Sequence, residues 1–129
     1  MDPILLRIIR TWILLGVVVL LIPLRTNAHH SLAEFDVDNP ITLDGTLVKM
    51  EWENPHGRIS LDVKGSDGKV VSWSIQTAAP VFLSKQGIRK TDLQPGMKLA
   101  IVGYPARNGS HKAVGRILTL PDGTEFFIR

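Results

Sequence analysis

A chain of 129 residues makes one domain rather than two, and the absence of cysteine removes disulfides, thiolate catalysis, iron–sulfur clusters and cysteine zinc sites together. The formal charge of +3 misleads, because Arg7, Arg10 and Arg25 fall in the first 28 residues beside a single acid, Asp2. The remainder carries 12 basic and 11 acidic residues, which excludes the basic stripe that a nucleic-acid surface needs.

Residues 1–28 read as a secretory signal peptide. Arg7 and Arg10 give a basic start, and Trp12 to Leu24 is an unbroken apolar run. Arg25-Thr26-Asn27-Ala28 then ends on a small residue, with Thr26 three positions from the cut. The translocase needs a short insertable helix, and signal peptidase needs small side chains in two narrow pockets. A retained membrane anchor is the alternative. A spanning helix requires about 20 apolar residues; the run between Arg10 and Arg25 is shorter and is broken near its end by Pro23. Cleavage after Ala28 is the expectation, giving a periplasmic or secreted product; the membrane is a partner only through the leader, if that is not cleaved.

Residues 29–40 (HHSLAEFDVDNP) show no sustained period and read as an N-terminal arm leading into a domain over residues 41–129. Ile41 to Trp52 is a long strand pattern with a phase slip. Ile41, Leu43 and Leu47 share one face, whereas Val48, Met50 and Trp52 share the other, which predicts a bulge or bend near Gly45. Asn54-Pro55-His56-Gly57 is a turn by composition. Ile59, Leu61 and Val63 alternate in a second strand, Gly65-Ser66-Asp67-Gly68 makes a hairpin turn, and Val71, Trp73 and Ile75 alternate in a third. Ala78 to Gln86 is the one helix pattern of the domain, with Thr77 as its expected cap, Pro80 in its first turn and Gly87 at its end. Strands follow at Met97 to Tyr104 and His111 to Leu120, then a short one at Glu125 to Ile128. Three strands, a helix and two strands predict an all-β, OB-fold-like five-stranded Greek-key barrel with one short helix. An open antiparallel sandwich is the alternative architecture.

Several segments together resemble a family of small exported bacterial proteins of unknown function. They are Ala28-His29-His30-Ser31 with Glu34-Phe35-Asp36, Gly45-Thr46-Leu47-Val48, and Glu51-Trp52-Glu53-Asn54-Pro55-His56. Leu93-Gln94-Pro95-Gly96, Gly103-Tyr104-Pro105-Ala106-Arg107-Asn108-Gly109-Ser110 and Leu120-Pro121-Asp122-Gly123 continue the likeness. The resemblance implies export and an OB-like barrel, and brings no assigned reaction. His111 departs from the family pattern, where that position is merely polar.

All four histidines follow the leader, and cleavage after Ala28 would make His29 and His30 its first two residues. A free N-terminal histidine offers its amine and its Nδ1 to one metal ion in a chelate ring, and His30 adds an option through the intervening amide. Such nitrogen donors suit Cu(II) before zinc. His56 would supply a third nitrogen to a T-shaped site of the histidine-brace type. Against this, histidines on an arm also bind metal adventitiously, and His56 serves equally as a turn residue.

Trp52 and Trp73 are expected in the core, since each continues an apolar phase. Glu51 and Glu53 share a strand face without a partner chemistry, and no serine has a nucleophile-elbow context. No glycine-rich loop opens a helix to cradle a phosphate. The chain reads as a binding or accessory module. Copper is the favoured ligand through His29, His30 and His56. A protein- or glycan-binding module, with an envelope protein or small ligand as partner and the loop Arg107–Ser110 involved, is the alternative. A copper-dependent oxidoreductase is the third reading.

Overall fold

The computed structural model describes residues 2–4 and 32–129, so His29, His30 and the expected leader, apart from residues 2–4, lie outside the described residues. Period-two alternation produces β1 (Ile41–Glu51), β2 (Arg58–Lys64), β3 (Val70–Gln76), β4 (Lys98–Pro105), β5 (Lys112–Thr119) and β6 (Glu125–Phe127), with one short helix, α1 (Pro80–Lys85). The strands lie in the order β3-β2-β1-β4-β5-β6 with antiparallel neighbours, and a parallel pairing of β3 with β5 closes the first five into a barrel. The expected OB-like barrel is therefore the observed one, with α1 between β3 and β4; β6 adds a short strand to β5. Ile59, Leu61, Ile75, Ile101 and Leu118 are fully buried at its centre, and Trp52 and Trp73 pack partly buried against that core. Among the described residues no helix is long and apolar enough to cross a membrane.

Closure rests on β1. Its first part pairs with β4 and its second with β2, and Gly45 lies opposite Leu99 and Val63 at once. A Cβ there would stand 2.6 Å from the Asp62 carbonyl oxygen and 2.8 Å from Leu61 Cγ, so only glycine lets the strand pass. The register then slips between Leu47 and Lys49, leaving Val48 as the extra residue of a β-bulge. The slip moves the inward phase from Leu43 and Leu47 to Met50, as the sequence pattern predicts. Val48 itself does not join the inner face. It is the bulged residue, without a partner across the ladder, and is 48% exposed.

The helix is bounded differently from its expectation. Ala79, not Thr77, is the N-cap, and no side chain caps it. Thr77 is buried instead, donating to the Ala78 carbonyl at 3.0 Å. The C-terminus ends as predicted at Gly87, whose φ of +94° suits glycine. Gly87 N–H donates to Ser84 O and Ile88 N–H to Leu83 O, each at 3.0 Å, and buried Leu83 and Ile88 give the apolar contact of a Schellman motif.

Two substitutions in β1 separate the bend from the bulge. Gly45→Ala should cost about 1–3 kcal/mol by forcing β1 away from β2. Val48→Ala should stay within about 0.5 kcal/mol because the side chain is half-exposed. Urea unfolding monitored by tryptophan fluorescence measures both.

Candidate functional site

The arm ends in a docked segment, where the sequence shows only an aperiodic stretch. Leu32–Glu34 form one 3-10 turn, and Phe35 bridges to Ala106 beyond the end of β4. Asp36 N–H donates to Pro105 O at 2.8 Å, and Arg107 N–H donates to Glu34 O at 2.9 Å, so the arm adds itself to the β4–β5 loop as a two-bond strand. Phe35 is 8% exposed. Arg107 approaches Asp36 at 3.6 Å and Asp38 at 4.0 Å. These ion pairs are partly exposed, and pairs of that kind contribute about 0–1 kcal/mol. The apolar ring and the backbone bonds therefore hold the arm. Arg107, which the alternative partner-binding reading would use, is turned toward the arm.

His56 is exposed in the β1–β2 loop, next to a cis Asn54–Pro55 bond. The residue after it is locked. Gly57 N–H donates to Ala78 O at 3.2 Å, Thr77 N–H donates to Gly57 O at 2.9 Å, and a Cβ on Gly57 would meet Thr77 Oγ1 at 2.6 Å. The imidazole thus stands on a fixed base with its ring in solvent. Of the three histidines expected to bind metal, His56 is the one among the described residues. No group of three His, Cys, Asp or Glu side chains able to hold a metal occurs among the described residues. His111, at the end of the β4–β5 loop, lies edge-on to Trp73 with ring centroids 5.3 Å apart. That packing gives it a structural role.

Between the arm and the barrel lies a cleft of about 220 Å³, lined by Glu34, Phe35, Arg58, Ser74, Gln76 and Lys112, with Ala113 below. Its polar residues come from β2, β3 and β5, whose alternation turns Ile59, Ile75 and Ala113 inward. Sequence reasoning passed over Arg58, Gln76 and Lys112, because a charged or amide residue at a strand end reads as solvated. A larger open groove of about 660 Å³ includes Asp44, Asp62, Lys64 and Lys98. Its charges are balanced, and Lys98 Nζ already donates to Thr46 Oγ1 at 2.6 Å.

Glu51 is paired with Lys49. Lys49 Nζ donates to it at 2.6 Å, and that hydrogen bond, with the lysine charge, holds its carboxyl below the ordinary carboxylate range. A general acid needs the opposite shift.

A family model described as a family of unknown function, DUF6152, matches residues 18–115. No curated protein matches the chain.

The docking of the arm is directly testable. Phe35→Ala should cost about 3 kcal/mol, toward the lower end for burying and then removing an aromatic ring, and should expose residues 32–40 to proteolysis. Arg107→Ala should change stability by less than about 1 kcal/mol and leave the arm protected. Urea unfolding with limited proteolysis distinguishes the two.

Proposed function

We propose that this chain, which belongs to the DUF6152 family, is an exported binding or accessory module that takes Cu(II) through His29, His30 and His56 once its leader is removed after Ala28. The observation that carries the reading is the donor set itself. The amine and Nδ1 of an N-terminal histidine close one chelate ring, the amide before His30 offers another donor, and a further imidazole completes a nitrogen-rich group. Among divalent ions Cu(II) binds such donors most strongly.

The fold supports the reading through the anchor of the arm. Glu34 and Phe35 line the same cleft as Arg58, and Arg58 follows His56 by two residues. An extended chain covers at most about 3.6 Å per residue, which bounds the His56–Arg58 separation at about 7 Å and the His29–Glu34 separation at about 18 Å. The first residues after the leader and His56 are thus within reach of one another by covalent length. His56 also enters at little entropic cost, because its neighbour Gly57 is fixed on both sides.

The test uses untagged protein as processed by the expressing cell. Intact mass fixes the N-terminus, and Cu(II) titration is followed by calorimetry and electron paramagnetic resonance. The expected result is a mass beginning at His29 and one tight, nitrogen-rich site per chain. A methionine placed before His29, or His56→Ala, should weaken binding at least about tenfold, the scale of losing even an outer partner of a metal ligand. A retained N-terminal segment, or only loose multiple sites, overturns the proposal.

A further inference from the structure

We infer that β6 is a self-complementary edge through which two copies of this chain pair, joining their sheets across a two-fold axis. β6 ends the strand order and pairs with β5 on one side. Antiparallel neighbours exchange hydrogen bonds at alternate residues. Leu120 N–H donates to Thr124 O at 2.9 Å and Ile128 N–H to Arg116 O at 3.0 Å, so Thr124, Phe126 and Ile128 turn their backbone groups toward β5. By the same alternation Glu125, Phe127 and Arg129 turn theirs to the open side. Sheets commonly blunt such an edge with lysine, proline or a covering element. Here a phenylalanine stands at its centre, 56% exposed.

The side chains select the occupant. Phe127 lies opposite Ile117, and Ile117 lies opposite Val102, so the outer face carries an apolar row across three strands. Their neighbours Ile101 and Leu118 point inward and are fully buried. The row ends in the open at Phe127. Glu125 and Arg129 stand two residues to either side of Phe127, share its face by alternation and are exposed. Among the described residues neither side chain has an ion pair or a hydrogen bond.

A second copy laid antiparallel, with Phe127 opposite its own counterpart, satisfies these features together. The open backbone groups of Glu125, Phe127 and Arg129 meet those of the second copy in step. Glu125 faces the counterpart of Arg129, and Arg129 faces the counterpart of Glu125. Two opposite-charge pairs then bracket an aromatic pair, and the apolar row of each copy runs into that of the other. Other pairings lose this match. A shift by two residues sets Glu125 against Phe127, and a parallel pairing sets like charges side by side. Because β6 has three residues, the joined face is small and the association is weak and reversible. The edge shares no residue with the proposed copper ligands, so its success or failure is independent of theirs.

Sedimentation equilibrium and backbone amide spectra of the untagged, processed protein test the inference, in EDTA so that no metal bridges two copies. The expected result is a monomer–dimer equilibrium with a dissociation constant on the order of 1 mM or below. Concentration-dependent shifts should centre on the amides of residues 125, 127 and 129. Glu125→Arg and Arg129→Glu should each weaken dimerisation at least about tenfold, because by symmetry each turns two opposite-charge pairs into like-charge pairs. The double variant E125R/R129E, whose net charge is unchanged, should regain it. Both side chains are exposed, so the rest of the spectrum should be unchanged, which reports that each variant folds. A chain that stays monomeric through this range, shifts centred elsewhere, dimerisation unweakened in either single variant, or a double variant that does not recover overturns the proposal.

Discussion

Gly45 faces Leu99 on one side and Val63 on the other, and the Asp62 carbonyl comes so close that no side chain fits. That passage from β4 to β2 within one strand is what the barrel depends on. A straight β1 would leave β3 and β5 as open edges, each with a row of unpaired backbone groups that invites association. With the bend, β3 meets β5 in parallel at Ser74, Ile75 and Gln76, and the core of isoleucine and leucine closes around Ile75. The bulge at Val48 completes the device by exchanging the inward face just where β1 has left β4 behind. Gly45 removes a steric obstacle, and Val48 supplies the extra residue that keeps Met50 against the core.

Closure decides what stands next to what at the surface. It sets the start of β2, the end of β3 and the start of β5 side by side, with the β1–β2 loop above one edge and the β4–β5 loop along the other. The arm then docks on the second loop through Phe35 and two backbone hydrogen bonds. Its exposed ion pairs to Arg107 add orientation more than energy. The exposed imidazole of His56 and the polar side chains of Arg58, Ser74, Gln76 and Lys112 stand around this face.

Local pattern made much of this fold legible. Alternation located every strand of the barrel, and the phase slip in residues 41–52 announced the bulge. The glycine after α1 marked its end because positive φ is a local requirement. What the sequence concealed was contact between distant residues. Val48 continues an apolar phase on paper, and only the pairing with β2 reveals it as the residue without a partner. Thr77 has the chemistry of a cap, yet the close approach of Gly57 draws it into the interior. Phe35 stands in an aperiodic stretch, and its partner Ala106 lies on the far side of four strands and the helix in sequence. Arg58 and Lys112 look like ordinary charged strand ends, and only the pairings of β3 with β2 and with β5 put them on either side of it, opposite Gln76 and Ser74 respectively. At the candidate metal site the histidines were visible as chemistry from the start, and His56 alone of the three falls within the described residues.

The proposed copper site joins the first residues after the leader to the β1–β2 loop. Paramagnetic broadening of backbone amides by substoichiometric Cu(II) tests it most directly. Amides around residues 32–34 and around residues 54–58 are expected to lose intensity together, at the same copper ratio. Those of the β2–β3 hairpin at residues 65–68, at the opposite end of β3, should remain sharp. Broadening confined to the arm, with residues 54–58 untouched, would contradict the claim and leave His56 a turn residue.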